Sequence, residues 1–260
     1  MGILIFIICL AASVIGGICG IGGGVIIKPV LDAMNIMSVS AISFLSGLTV
    51  LSMSVISVFR QRKAHLVELR TGSLLAAGAV VGGIVGNALF QAVKAAAGQD
   101  DLVGMVQAIV LALVTLMTLI YSVFLRQRIP SYQVKNPVAC AAIGGIMGIL
   151  SSFLGIGGGP INLAVLYFAF SMDTKKAAAN SLYIIMFSQI ASFLTSCVKG
   201  TIPEFPWAYL LLMVPAGVLG GILGSKVNKK ISAATTDKLF AGLLCLIIAI
   251  CIYNACRFAG

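Results

Sequence analysis

The chain reads as an all-α polytopic membrane protein made of two homologous halves. Each half is a glycine-broken helix segment followed by three transmembrane helices, and the halves are expected to be inverted repeats. Three observations predict this. Of the 260 residues, 60% are hydrophobic and 9% charged, with a mean hydropathy of +1.12, whereas a soluble domain carries about 25% charged residues. Apolar segments recur over residues 3–31, 38–59, 71–93, 102–125, 138–171, 177–198, 206–225 and 238–256, and several reach the ~20 residues a helix needs to span a bilayer. Finally, the run Gly20-Ile21-Gly22-Gly23-Gly24 returns 135 residues later as Gly155-Ile156-Gly157-Gly158-Gly159.

The first segment opens with Met1–Ser13, which resembles the apolar core of a signal peptide. It lacks a basic start and runs on into the glycine break, so it is expected to belong to the mature fold. A helix in lipid breaks only where its freed backbone groups face protein, water or a bound solute. The broken segment can therefore span, giving four crossings per half and parallel repeats, or enter and return as a hairpin, giving three crossings and inverted repeats. As a helix, Ile3–Ile15 is about 20 Å long, short of the ~30 Å hydrocarbon core, which favours the hairpin. Segments 38–59, 71–93 and 102–125 then read as plain helices. The second half repeats the order with a broken segment at 138–171 and plain helices at 177–198, 206–225 and 238–256.

A second pair of motifs supports the duplication. Gly82-Gly83-Ile84-Val85-Gly86 matches Gly220-Gly221-Ile222-Leu223-Gly224, and both copies carry small residues at every fourth position (Gly78, Gly82, Gly86; Ala216, Gly220, Gly224). Such stripes let helix backbones approach closely in lipid, so they are expected to pack helices and to join the halves. The repeats divide the chain at 1–130 and 131–260, together one membrane domain. Connecting loops of about five to twelve residues leave no room between segments for a soluble one.

The net charge of +10 reads as the cytoplasmic bias of short basic loops rather than as a nucleic-acid surface. In the hairpin arrangement every Lys and Arg except Lys28, Lys94, Lys199 and Arg257 falls in the loops at 60–70, 126–135, 173–176 and 226–238, all cytoplasmic. The spanning arrangement divides the basic residues almost evenly, so the charges also favour hairpins. The expected location is the cell membrane, the expected surroundings a lipid bilayer, and a homodimer is left open. Seven cysteines, odd in number and without Cys-x-x-Cys spacing, read as small buried hydrophobes rather than as metal ligands.

After each glycine run a new half-helix begins, near Val25 and at Pro160. A helix N-terminus offers unpaired N–H groups and a partial positive charge that favour anions, and glycines allow close backbone approach. The candidate substrate-binding residues are therefore Gly22, Gly23 and Gly24 with Gly157, Gly158 and Gly159. Lys28, within an apolar segment, either pairs with an anionic substrate or snorkels towards the outer face near Asp32. Asn162 follows the second run, and Ser43, Ser46, Asn180, Ser181 and Gln189 on the next helices could complete the shell. Polar groups in lipid also serve as glue between helices. All seven carboxylates, Asp32 among them, map to loops or helix ends, and the single histidine, His65, lies in a basic loop. That leaves no proton relay, no catalytic residue, no cofactor and no metal to expect, and it argues against an intramembrane enzyme. Gly20-x-Gly22 follows no strand and lacks a third glycine, which disfavours a nucleotide site.

Gly17-Ile18-Cys19-Gly20-Ile21-Gly22-Gly23-Gly24, Phe153-Leu154-Gly155-Ile156-Gly157-Gly158-Gly159-Pro160 and Ala178-Ala179-Asn180-Ser181 together resemble the sulfite exporter TauE/SafE family of membrane permeases. The resemblance covers essentially the whole chain. It implies transport of small sulfur-containing anions, sulfite or organosulfonates such as sulfoacetate. An inside-negative potential drives an anion outward, so export needs no coupled ion. Uptake would need a coupled cation, and the sequence offers no evident acidic ligand for one. Export is the expected direction, uptake of an organosulfonate or other small organic anion with a cation the alternative, and a non-transporting membrane scaffold subunit the remote one.

Overall fold

The computed structural model describes residues 2–62, 65–126 and 128–259, so Lys63 of the first basic loop lies outside the described residues. Ten α-helices follow in order: α1 (Gly2–Cys19), α2 (Gly24–Met34), α3 (Val39–Arg62), α4 (Leu69–Ala97), α5 (Asp100–Ile120), α6 (Pro137–Phe153), α7 (Pro160–Phe170), α8 (Thr174–Val198), α9 (Trp207–Lys230) and α10 (Ala233–Ala259). A π-helical turn over Tyr121–Leu125 extends α5. No strand occurs among the described residues, and the expected all-α membrane class holds.

Both long apolar segments are cut in two by glycines with positive φ. Gly20 and Gly22 adopt +81° and +77°, and Gly155, Gly157 and Gly158 adopt +63°, +70° and +126°. Side chains with a Cβ avoid this region, so the sequence breaks where the glycines stand and resumes as soon as they end. Pro160 then takes the first helical position of α7, where its missing N–H costs nothing. The start of α6 is fixed by Asn136, whose side-chain oxygen accepts from the N–H groups of Val138 (2.9 Å) and Ala139 (3.4 Å).

Among the described residues, seven helices are long and apolar enough to cross a membrane: α1, α3, α4, α5 with its π turn, α8, α9 and α10. The first corrects the length argument drawn from Ile3–Ile15. Gly16 and Gly17 remain helical, and α1 runs for 18 residues to Cys19, about 27 Å at 1.5 Å per residue. Length alone does not mark this segment as a hairpin.

Contacts between the loops decide which end of the bundle each segment reaches. The N–H of Tyr132 donates to the Phe168 carbonyl (2.7 Å) and that of Val134 to the Ala169 carbonyl (3.0 Å), so α6 leaves from the end to which α7 returns. Arg126 reaches Asp237 and Thr174, each at 3.2 Å, and Lys176 lies 3.8 Å from Glu68. The loops that carry the basic runs thus share that end. At the other end, Arg257 donates to the carbonyls of Asp32 (2.7 Å) and Ala33 (3.1 Å) near the close of α2. Gly2, at the start of α1, packs there on Leu212 of α9. Between these ends the chain reverses sharply, because Gly23 rests on the backbone of Ser13, ten residues earlier.

The two small-residue stripes pack as expected. Gly78, Gly82 and Gly86 of α4 lie directly on the carbonyls of Ala141, Gly145 and Ile149 of α6, and Gly220 and Gly224 of α9 lie on Ser13, Val14 and Gly17 of α1. Helices from residues 1–130 and 131–260 are thereby packed crosswise. α3 and α8 lie against each other, each also packed on the small-residue helix of the other half (α9 and α4 respectively), and α5 packs on α10.

Candidate functional site

The two glycine runs meet at the centre of the bundle. Gly24 abuts the carbonyl of Ile156, and a Cβ on Gly22 would stand 3.4 Å from the Gly157 carbonyl oxygen. Gly20 presses on the backbone of Ala178 of α8, and Gly155 presses on Ser43 of α3. No side chain caps either α2 or α7, so both helix N-termini arrive at this junction without a side-chain acceptor.

Buried polar groups without partners gather on the elements pressed against the junction. Ser13 of α1, Ser43 and Ser46 of α3, and Ser181 of α8 are buried, and none of their hydroxyls has a hydrogen-bond partner. Asn162, in the first turn of α7, is buried with both amide atoms unpartnered, and its Nδ2 lies 3.3 Å from where a Cβ of Gly158 would be. Buried polar groups are normally satisfied, and leaving one unpaired costs about 1–3 kcal/mol. Unpaired donors beside uncapped helix ends are what a bound anion would satisfy.

A cavity of about 290 Å³ reaches this junction at Gly155, just under the ~300–1,000 Å³ of typical small-molecule sites. Its inner end is formed by Gly155, Ser43, Ser152 and Gln189, and its mouth by Ser40, Lys94 and the 201–203 loop. The mouth therefore lies at the end away from the basic loops. Among the described residues, Lys94 is the single charged one in its lining. The ammonium donates to Ser40 (2.8 Å), stands 3.8 Å from Asp100, and is 41% exposed. Asn87 donates to Ser196 (3.0 Å) across the cavity wall while its Oδ1 stays unpaired. The lining is thus rich in hydroxyl and amide donors, carries one cation and includes no carboxylate.

Beyond the cavity floor, towards the basic end, the side chains are apolar and packed. Val50, Met53, Val58, Leu182 and Ile185 form a separate buried apolar cluster. Val50 lies against Gly157 and Ile185 against Gly158, so the plug touches the glycine junction itself.

The structure gathers some of the sequence candidates and sends others elsewhere. Gly22, Gly23, Gly24, Gly157, Gly158 and Gly159 belong to or flank the junction, and their free space is filled by each other and by Ser13, Val50, Ile156 and Ile185. Ser43 and Gln189 line the cavity, and Gln189 also donates to Ser151 (3.2 Å). Ser46, Asn162 and Ser181 are the unpaired groups described above. Asn180 is engaged otherwise. Its carbonyl oxygen accepts from the Glu68 N–H (3.1 Å), and its nitrogen donates to the carbonyls of Leu66 (3.3 Å) and Lys176 (2.8 Å). That amide ties the start of α8 to the loop between α3 and α4 at the basic end.

Lys28 is the larger correction, together with Asp32, which stands near a helix end as expected but is buried. Both sit in α2, 3% and 5% exposed, with the Lys28 ammonium on Asp32 Oδ2 at 2.5 Å. The lysine is buried rather than snorkelled and is not among the residues that line the cavity; its partner stands one helical turn away. A carboxylate therefore does lie in the buried interior.

Lys94, Asn87, Gln91, Ser192 and Ser196 were missed as site residues. A signal was present. Asn87, Gln91 and Lys94 fall at i, i+4 and i+7 of an otherwise apolar helix, and Gln189, Ser192 and Ser196 fall at i, i+3 and i+7 on α8. Each set makes a polar stripe along one helical face. Only packing of α4 beside α8 turns the two stripes into facing walls.

A model of the family described as Sulfite exporter TauE/SafE matches residues 5–250. The chain belongs to this family. Among similar proteins, the probable membrane transporter protein YunE of Bacillus subtilis is 31% identical over 124 residues, 48% of this chain and 43% of that protein. The probable membrane transporter proteins MamO of Magnetospirillum gryphiswaldense and of Paramagnetospirillum magneticum are each 25% identical, over 44% and 41% of this chain and 19% and 18% of their own lengths. The matched segments thus span less than half of each relative. No solved structure matches the chain. The family is described as sulfite exporters and these relatives as probable membrane transporters, and the long apolar helices of this TauE/SafE protein fit a multi-pass membrane protein.

Proposed function

We propose that this TauE/SafE protein carries a small sulfur oxyanion, sulfite or an organosulfonate such as sulfoacetate, through the cavity between α3, α4 and α8. The observation that supports it most is the lining: one cation, Lys94, a surplus of hydroxyl and amide donors, and no carboxylate. A tetrahedral or pyramidal oxyanion needs several donors at once, and a charge-assisted hydrogen bond is about twice as strong as a neutral one. Lys94 would attract the anion at the mouth. Ser43, Gln189 and the glycine junction with Asn162 would receive it at depth.

In the same reading the halves 1–130 and 131–260 are inverted repeats, with the basic loops cytoplasmic in the cell membrane. The opposed ends of the α1–α2 and α6–α7 reversals support it, and so does the gathering of basic loops at one end. The cavity then faces outward, and the plug of Val50, Met53, Val58, Leu182 and Ile185 blocks the inner side. Transport requires α3 and α8 to part at that plug while the mouth closes.

An anion moving alone follows the inside-negative potential outward, gaining about 2.3 kcal/mol per charge per 100 mV, which makes export the direction for the cavity by itself. Uptake with a coupled cation is the second reading. The buried Asp32 favours it, since the lack of such a residue was the ground for setting it aside. The test is flux of radiolabelled sulfite, sulfoacetate, sulfate and acetate in proteoliposomes under imposed potentials. Selective flux of the sulfur oxyanions is expected, and equal flux of acetate, or none of any anion, overturns the substrate assignment.

A further inference from the structure

We propose that Asp32, Gln107 and Asn254 form a binding site for one small monovalent cation, Na+ or the proton, that is coupled to the anion cavity. A pocket of about 10 Å³ is lined by Lys28, Asp32, Gln107, Leu154 and Asn254 with neighbouring apolar side chains. That is room for about one water or one dehydrated ion. Three oxygens among its lining residues have no hydrogen-bond partner: Asp32 Oδ1, Gln107 Oε1 and Asn254 Oδ1. All three residues are 5% exposed or less.

The amide orientations are fixed by their other contacts. Gln107 Nε2 donates to the Phe153 carbonyl (2.6 Å) and Asn254 Nδ2 to the Pro29 carbonyl (2.8 Å). The atoms left over are therefore acceptors. A water molecule has two hydrogens and can satisfy two of the three; Na+ would serve all three, and a proton on Asp32 Oδ1 would serve two while neutralising the carboxylate. An all-oxygen set with one carboxylate is the donor chemistry of hard cations.

The surrounding charges fit a monovalent ion and not a larger charge. Asp32 presents its second oxygen to Lys28 on the same helix, and Arg257 of α10 is occupied by the Asp32 and Ala33 carbonyls at the end of α2. Cys251 of α10 is the remaining titratable lining group, and α5 brings none to the pocket beyond the neutral Gln107. The ion and the Lys28 ammonium compete for one carboxylate, so occupancy is poised rather than permanent.

The coupling route is short. Gln107 holds the carbonyl of Phe153, Leu154 lines the ion pocket, and Gly155 lines the anion cavity. Filling the ion site fixes the backbone that forms the cavity floor. This inference rests on the transporter reading and gives its second form, uptake, a driving ion.

The test has two arms. Purified protein in detergent is titrated with NaCl against choline chloride at constant ionic strength, and separately with acid in Na+-free buffer, following thermal stability. Sulfite uptake is then measured in proteoliposomes with an imposed Na+ or pH gradient. A saturable response to one of the two cations is expected, with uptake driven by the same one. Asn254→Ala should raise the half-saturating concentration about tenfold to a hundredfold, and Asp32→Asn should abolish the response. The folding control is a monodisperse variant with a wild-type midpoint in cation-free buffer. Wild-type stability indifferent to both cations overturns the site. Sulfite flux indifferent to both gradients overturns the coupling and leaves transport standing. A saturable cation response without sulfite flux supports the site and overturns the assigned anion.

Discussion

The closeness of the two glycine runs can be tested by a pair of identical substitutions with opposite expected signs. Gly24 begins α2, and a Cβ added there would meet the Ile156 carbonyl carbon at 2.7 Å, with its oxygen nearer still. The obstacle is backbone, so no rotamer change relieves it. Overpacking of this kind costs typically 1–3 kcal/mol, and a rigid obstacle belongs at the upper end. Alanine regains about 1 kcal/mol over glycine in a helix, so Gly24→Ala should be destabilising by about 2 kcal/mol net. Gly242, within α10, has nothing within 4 Å of its Cβ position, and Gly242→Ala should gain up to about 1 kcal/mol. At roughly 2–4 °C per kcal/mol for a chain of this size, Gly24→Ala should lower the thermal midpoint by about 4–8 °C while Gly242→Ala leaves it level or raised. The midpoints are read by size-exclusion chromatography after heating, with anion flux measured on the same preparations. A Gly24→Ala protein with the wild-type midpoint and flux would refute the contact between the runs.

Other outcomes follow from the same geometry. Lys94→Ala should raise the KM for the anion about tenfold while leaving the fold intact, since a charge-assisted hydrogen bond contributes about 1.5–3 kcal/mol; an unchanged KM in the flux assay removes the lysine from the path. Asn162→Leu should stabilise the protein by about 1–3 kcal/mol, because it deletes an unpaired buried amide, yet lower transport; higher midpoints with full flux would show that the amide meets no substrate. Asn180→Ala should do the reverse, lowering stability by about 1–3 kcal/mol through the orphaned Glu68 and Leu66 groups with the KM unmoved; a shift in KM would return it to the site. Val50→Ala with Ile185→Ala should loosen the plug, so that a cysteine placed beside it becomes reactive from the basic end, and continued protection would mean the plug lies elsewhere.

The membrane class, the six plain helices and the two breaks were legible in the sequence because each rests on a local property. Hydropathy is set residue by residue, and positive φ is available to Gly20, Gly22, Gly155, Gly157 and Gly158 whatever lies nearby. The small-residue stripes of α4 and α9 were equally plain, since glycine at every fourth position has one use in lipid. The helix limits were less so. Gly16 and Gly17 look like part of the break, but packing on Gly23 and Gly224 keeps them helical, and α1 gains the length its sequence argument denied it.

The candidate site was only partly legible. Ser43 and Gln189 could be named from sequence because they are polar residues in apolar helices, but so could Asn180, which ties α8 to a loop instead. Nothing local distinguishes an amide that faces a cavity from one that faces a neighbouring carbonyl. Lys28 and Asp32 looked like a membrane-edge pair because the sequence shows their spacing and not the α10 and α5 side chains that enclose them. By itself the sequence determined where the chain is apolar, where it must break and which faces can pack closely. Tertiary structure alone decided that α4 and α8 set two polar stripes opposite each other, that Lys94 stands at the mouth, and that Asp32 is buried beside Gln107 and Asn254. Those depend on contacts between residues far apart in the chain, which the local preferences of a helix do not encode.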